Sequence, residues 1–279
     1  IFFDMHSYSD LVLWSWGDTA ALAPNGTQLR TLGRRMAWFN QYDPQPAVEL
    51  YPTDGTTDDS MYGLLGVPAY TFELDDAFFQ SCSSFEGDTL PKNINALRYS
   101  ARALHAPYLL PKGPDTVVVD ANGADLVEIG TAVDISAQID SSRFRQGNPA
   151  EPVYPIASVN AYLDQLPWEA SASAMAMTAA DGAFDSNSET ATLSLSTTGW
   201  SSGRHFVHVQ GVVASTGQAG TPNAAYVDVA AAGDIATLGG HVTAQASGAP
   251  LAATVTVSNA ATGEIRSADT NPADGAYTR

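Results

Sequence analysis

The chain has 279 residues, with 30 acidic side chains against 12 basic ones, a formal charge of −18, 44% hydrophobic residues and 15% charged. Such a hydrophobic share can bury sizeable cores and excludes a disordered acidic tail, while the acidic excess excludes DNA, RNA and anionic membranes, which are held by clustered Lys and Arg. No apolar run approaches the ~20 residues of a membrane-spanning helix, and at ~100–200 residues per domain the length accommodates two domains or three small ones.

Ile1-Phe2-Phe3-Asp4 carries no initiator Met, basic n-region or cleavage motif, and the chain stops at Arg279 just after Asp274-Gly275, so the sequence reads as an internal fragment of a longer protein. Ile1 to Met5 is apolar apart from Asp4, which predicts a strand buried on both faces. Leu11 to Trp14 is a second short apolar stretch. Thr27 to Tyr42 carries Leu29, Leu32, Met36 and Phe39 on one helical face, with Thr27 as N-cap. Val67 to Leu74 reads as a strand, with Pro68 near its start. Asn93 to His105 repeats the helical period through Ile94, Leu97, Ala101 and Leu104, and Pro107 stops it. Strand, helix, strand, helix is the pattern of an open α/β sheet.

Beyond Lys112 the composition shifts to Ala, Ser, Thr, Gly and Val with frequent turn signals. Strands are predicted at Thr116–Val119, Ala132–Ile139, Ser158–Leu163, Ala172–Thr178, Ala191–Ser196, His205–Val213 and Ala224–Val229, with turns at Asn122-Gly123, Asp181-Gly182 and Ser202-Gly203. This fits a two-sheet sandwich of the immunoglobulin-like kind. From Gly239 onward, Thr254–Ser258 alternates before turns at Thr262-Gly263 and Asp274-Gly275, as in a small unfinished β-sandwich. The expected fold class is therefore α/β followed by two all-β modules, with domains at 1–111, 112–232 and 233–279.

Four features of the first part are unusual for their setting. His6 ends a strand, where open α/β sheets present ligands. Glu73 lies within the apolar run Tyr70-Thr71-Phe72-Glu73-Leu74, where lost solvation raises a carboxyl toward the range of a general base. Tyr51 precedes Pro52-Thr53-Asp54-Gly55 at a loop edge, and Asp58-Asp59 follow in the same loop. Taken singly, each has a plain structural explanation: a hydrogen-bonded His, a Glu paired with an Arg, a surface Tyr, a solvated turn.

Their order is more specific. His6-Ser7-Tyr8-Ser9, then Leu50-Tyr51-Pro52-Thr53-Asp54-Gly55, then Asp58-Asp59 with Tyr62-Gly63, then Tyr70-Thr71-Phe72-Glu73-Leu74 resembles the C-terminal half of zinc carboxypeptidases of the carboxypeptidase A and T type. Phe78 to Glu86 resembles the secreted bacterial branch, and the likeness runs to His105-Ala106-Pro107-Tyr108, about residue 110. The resemblance implies Zn2+ as cofactor, peptide or protein C-termini as substrates, and a secreted or periplasmic location. It implies that His6 is a zinc ligand, that Ser7 and Tyr8 line the substrate's approach, and that Tyr51 hydrogen-bonds the substrate near its terminal carboxylate. It further implies that Glu73 is the general base, taking a proton from zinc-activated water and passing it to the leaving amine. Asp58 or Asp59 falls in the specificity loop, where an acidic side chain favours a basic C-terminal residue. Ser60 stands where a Trp is frequent in the family, a departure that bears on packing of that loop.

A catalytic zinc takes three protein ligands and one open position. The family's other two ligands form a His-x-x-Glu motif, and none of the five histidines (His6, His105, His205, His208, His241) has Glu at its third following position. Arg30, Arg34 and Arg35 lie on a helix outside any motif for binding a substrate carboxylate. The fragment therefore holds half an active site, and by itself is expected to bind zinc poorly and to hydrolyse nothing.

Other candidates read as structural. His205 and His208 point to opposite faces of a strand. Asp181, Asp185, Asn187 and Glu189 do not follow the order of a calcium loop. Asp269-x-Asn271-x-x-Asp274-Gly275 reads as a hairpin turn. Cys82, the single cysteine, is either a small buried hydrophobe or half of a disulfide with a partner upstream. The terminal segment, with Gly239-Gly240-His241-Val242-Thr243, Ser247 to Leu251 and Asp274 to Tyr277, resembles the carboxypeptidase regulatory-like, transthyretin-like β-sandwich. The leading expectation is a fragment of a secreted metallocarboxypeptidase whose β-modules bind a polymer or surface partner. The alternative is a non-catalytic secreted binding protein on a degenerate peptidase scaffold.

Overall fold

The computed structural model describes residues 1–121, 126–235, 238–258, 263 and 265–278. The turn expected at Asn122-Gly123, and Thr262 of the Thr262-Gly263 turn, lie outside the described residues.

Four strands form the first sheet: β1 (Phe2–His6), β2 (Leu11–Trp14), β3 (Asp43–Pro46) and β4 (Ala69–Glu73). Their order is β1-β4-β2-β3, with β1 parallel to β4 and β2 antiparallel to it. β2 is buried throughout. Among the described residues β1 pairs with β4 alone, and the strand expected to be buried on both faces is half-buried from Phe2 to Asp4 and exposed at Met5 and His6. Its two faces carry different side chains. Phe3 packs its ring on Tyr70 and Phe72, with centroids 6.2 and 5.4 Å away, while Asp4 and His6 share the opposite face.

Helix α1 (Gly26–Asn40) buries Leu29, Leu32 and Met36 against this sheet. Gly33 allows the approach, since a Cβ there would stand 2.8 Å from the Trp14 ring. The expected cap is corrected: Leu29 N–H already bonds Asn25 O at 2.8 Å, so Asn25 holds the N-cap position. Thr27 lies inside the first turn, its carbonyl accepting the Thr31 hydroxyl at 3.0 Å. Helix α2 (Thr57–Leu65) replaces the loop expected around Asp58-Asp59. Both carboxyls sit in its first turn, where the helix dipole favours negative charge. A short turn, α3 (Cys82–Ser84), runs through a π-helical turn (Phe85–Thr89) into α4 (Leu90–Arg102). α4 thus starts before Asn93, with Pro91 in its first turn, and ends ahead of Pro107.

The β-rich part contains β5 (Asp115–Asp120), β6 (Leu126–Glu128), β7 (Ala132–Asp140), β8 (Ile156–Leu163), β9 (Met175–Ala176), β10 (Thr178–Ala179), β11 (Ser188–Ser196), β12 (Gly203–Val213) and β13 (Asn223–Ala230). They form a four-stranded sheet, β10-β11-β7-β5, and a five-stranded one, β6-β13-β12-β8-β9. Alternating Val133, Ile135, Ala137 and Ile139 of β7 meet Val207, Val209, Val227 and Val229 in one core. The single strand expected over Ala172–Thr178 is split between the sheets, because Met177 turns into the core and its N–H bonds Val159 O at 2.9 Å. β6 has too few residues for a visible alternation and was not expected. In the last segment β14 (Gly239–His241) pairs with β17 (Ala276–Thr278), and β15 (Thr254–Ser258) with β16 (Ile265–Asp269).

The two larger parts meet through arginines. Arg35, fully buried, donates to the carbonyls of Pro111 (3.0 Å), Gly113 (2.6 Å) and Arg143 (3.3 Å), and its guanidinium lies 3.7 Å from the Phe144 ring centroid. Buried Asp115 accepts from Arg102 at 2.5 Å and Arg143 at 2.7 Å. Arg30 and Arg34 each meet Glu151 at 3.1 Å. At this seam Gly220 leaves no room for a side chain, since a Cβ would lie 1.7 Å from Pro114 O.

Candidate active site

The parallel register of β1 and β4 sets Asp4 beside Thr71 and His6 beside Glu73. All four side chains line one face and one cavity of about 270 Å³, together with Tyr51 and Asp58. His6 Nδ1 lies 3.9 Å from Glu73 Oε1, and His6 Nε2 lies 3.2 Å from Asp4 Oδ2. The His6 side chain is 55% exposed and Glu73 only 12%. Burial pushes the Glu73 carboxyl above its ordinary range, with His6 opposing and Asp4 adding to the rise. Tyr51 is 61% exposed at the rim, on the loop between β3 and α2.

Asp58 and Asp59 have different fates. Asp58 is 1% exposed, and its Oδ1 accepts the Asp59 N–H at 3.0 Å. Its Oδ2 is buried without a hydrogen-bond partner. Asp59 Oδ2 accepts the Gly17 N–H at 2.9 Å, tying α2 to the loop after β2. Burial pushes the Asp59 carboxyl up, and the Gly17 amide acts against that rise.

Ser7 and Tyr8 lie elsewhere. Ser7 lines a second, more apolar cavity of about 720 Å³ that also touches His6, Phe78, Phe79 and Cys82. Tyr8 stacks edge-on against Phe78, centroids 4.7 Å apart. Cys82 is exposed and free, which overturns its reading as a buried hydrophobe: it stands in the short exposed turn α3, away from either core. Arg30, Arg34 and Arg35 are committed to the seam with the β-rich part and do not line the His6–Glu73 cavity.

In the sequence Asp4 reads only as a break in an apolar run. The available signal was its spacing, two residues before His6 and so on the same face of a strand. The remaining candidates are structural here. His205 is buried and His208 half-exposed on alternate faces of β12. Glu189 accepts the N–H groups of Asp185 and Ser186 at 3.0 and 2.7 Å, closing a turn. Asn271 and Asp274 accept local N–H groups around Gly275.

Among the described residues no group of three or more His, Cys, Asp or Glu side chains is arranged to hold a metal ion. The donor set at the cavity is one imidazole flanked by two carboxyls. Of the three ligands that a catalytic zinc takes, this set could supply one nitrogen, from His6.

Comparison with known proteins gives the same direction for this stretch. The zinc carboxypeptidase family matches residues 1–88. A curated relative, "Zinc carboxypeptidase" from Saccharothrix mutabilis subsp. capreolus, is 43% identical over 77 residues, 25% of this chain. The match spans 18% of that relative's length. Among solved structures, the endo-beta-1,4-mannanase from Thermotoga petrophila matches 62% of this chain and 34% of its own at 12% identity and a TM-score of 0.26. OgpA from Akkermansia muciniphila matches 42% of this chain and 26% of its own at 9% identity and a TM-score of 0.25. Likenesses at that level bear on neither fold nor function.

Proposed function

We propose that residues 1–88 form part of the catalytic pocket of a zinc metallocarboxypeptidase that releases C-terminal amino acids, with a preference for Lys or Arg. The observation that carries this reading is a single cavity in which His6 and Glu73 face each other across parallel strands and the Asp58 carboxyl lies buried with one oxygen unpartnered. Zinc, when bound, supplies Lewis-acid polarisation of the scissile carbonyl and acidification of water.

The residues of this chain have the following roles in the proposal. His6 supplies one imidazole ligand. Glu73 accepts a proton from the attacking water at its carboxylate and returns it to the amine that leaves; its burial strengthens it as a base. Tyr51, exposed at the rim, swings its phenol toward the substrate's terminal carboxylate. Ser7 and Tyr8 line the approach for the preceding residues of the peptide. Asp58 receives the cation of a basic terminal side chain, and Asp59 holds α2 in place through Gly17. The β-rich remainder is read as accessory: an immunoglobulin-like sandwich, followed by a regulatory-like module, that binds a polymer or surface partner in a secreted protein. Its two stacked sheets around one apolar core support that reading.

The test uses a protein containing this chain together with the remaining zinc ligands, assayed on peptides ending in Arg. Glu73→Gln is expected to abolish turnover and leave zinc content unchanged, because the base is lost and the ligand kept. Retained turnover would remove Glu73 as the base. Residues 1–279 alone are expected to show no turnover, and carboxypeptidase activity from them would overturn the half-site reading.

A further inference from the structure

We propose that Asp4 is a positioning residue for His6: it holds the ring so that Nε2 carries the proton and Nδ1 presents its lone pair toward Glu73 and the cavity. The use of that lone pair rests on the carboxypeptidase reading, but the orientation does not.

Three observations carry the inference. First, Asp4 and His6 sit two apart on β1, so strand alternation places both on the face that looks into the cavity, while Phe3 packs into the core behind. Secondly, the two carboxyls beside the ring are unequally placed. Asp4 Oδ2 makes the closer ion-pair approach, 3.2 Å from Nε2, whereas Glu73 Oε1 is 3.9 Å from Nδ1. The nearer carboxyl selects which nitrogen bears hydrogen, since a neutral imidazole has one donor and one acceptor nitrogen.

Thirdly, Asp4 is itself anchored. The Thr57 hydroxyl, at the start of α2, donates to the same Oδ2. Strands disfavour Asp, and among the described residues Asp4 makes no ion pair with Lys or Arg that would explain it structurally; its ion-pair partner is His6. A carboxyl that orients an imidazole from its far nitrogen is a general device for presenting the other nitrogen to a metal.

The experiment reads the ring directly. The 279-residue chain, labelled with ¹⁵N-histidine and held at about pH 9, above the usual imidazole range, gives two-bond ¹H–¹⁵N spectra in which His6 is assigned by loss of its signals in His6→Gln. The wild-type ring should show a protonated Nε2 and an unprotonated Nδ1. Asp4→Ala should draw both ¹⁵N shifts toward those of a tautomer mixture, and Asp4→Asn, which retains an acceptor oxygen, should restore the wild-type pattern. A wild-type proton on Nδ1, or shifts that Asp4→Ala leaves unmoved, would overturn the proposal. Should Asp4→Ala fail to fold, Thr57→Val frees Asp4 from its anchor and should move the shifts in the same direction by less; no movement would be equally fatal. In a protein carrying the remaining ligands, Asp4→Ala should weaken zinc binding by about 10–100-fold. The ring spectra stand whether or not that protein hydrolyses peptides, so failure of the positioning role and failure of the carboxypeptidase reading are told apart.

Discussion

Asp58 and Asp59, adjacent in the first turn of α2, each keep one buried carboxyl oxygen without a partner, but Asp59 Oδ2 accepts the Gly17 N–H at 2.9 Å whereas Asp58 lines the cavity with its Oδ2 unpaired. A buried carboxyl oxygen left unpaired costs stability, and a cation delivered by a ligand recovers that cost. Asp58→Ala should therefore lower kcat/KM for peptides ending in Arg by about 30-fold or more, matching the ~2–5 kcal/mol lost when one member of a buried charge pair is removed. Peptides ending in Phe or Leu should be affected far less. Asp59→Asn should leave this ratio in place and reduce thermal stability. Kinetics on paired peptides, with a melting curve for each variant, check both statements.

A second pair, outside the cavity, gives a pH dependence. His205 Nδ1–H donates to Asp164 Oδ2 at 2.6 Å and Nε2–H donates to Ser201 O at 2.9 Å, so both ring nitrogens face acceptors and the ring is held as a cation. Burial pulls the His205 pKa down, but the hydrogen bonds to Ser201 and Asp164 outweigh it, and the net shift is upward from 6.5. A raised folded-state pKa means that the contribution is complete below about pH 6.5, the unfolded value, and fades as pH rises through the folded one. Because Asp164 is 43% exposed, solvent screening limits the contribution to about 1 kcal/mol. His205→Gln should lower the urea midpoint of the chain at pH 6, and the difference from wild type should shrink at pH 9. A difference that grows with pH would contradict the assignment.

What could be read from the sequence follows the range of each interaction. Ala132–Ile139 and His205–Val213 alternate clearly, and β7 and β12 form where that pattern lies. The helical face of Leu29, Leu32 and Met36 is equally local. The split at Met177 was not legible, because neither fragment is long enough to show a period. Nor were the roles of Arg34 and Arg35, whose partners lie at Glu151, Pro111 and Gly113, far along the chain. In the cavity, the motif order brings His6, Tyr51, Asp58 and Glu73 together, but the division of labour between Asp58 and Asp59 depends on Gly17, and the place of Asp4 depends on the polar face that β1 turns to the cavity.

The seam between the first sheet and the β-rich part should behave as a buried charge network. Glu151, with a side chain only 3% exposed, accepts from Arg30 Nε and Arg34 Nη1, each at 3.1 Å, and from the Thr31 hydroxyl at 3.0 Å. Arg34 is 5% exposed; burial lowers its pKa, and Glu151 opposes that shift. Glu151→Ala takes the carboxylate from this buried guanidinium and leaves the Pro149 carbonyl, at 2.5 Å, as its acceptor, at a cost of up to about 3–5 kcal/mol. Replacing both partners, as Arg34→Met with Glu151→Leu, removes the buried charge along with the pair and should recover most of that loss. Chemical denaturation of the wild type, Glu151→Ala and the double variant gives the comparison. A double variant no more stable than Glu151→Ala would mean that Arg30 and Thr31, not Arg34, depend on the carboxylate.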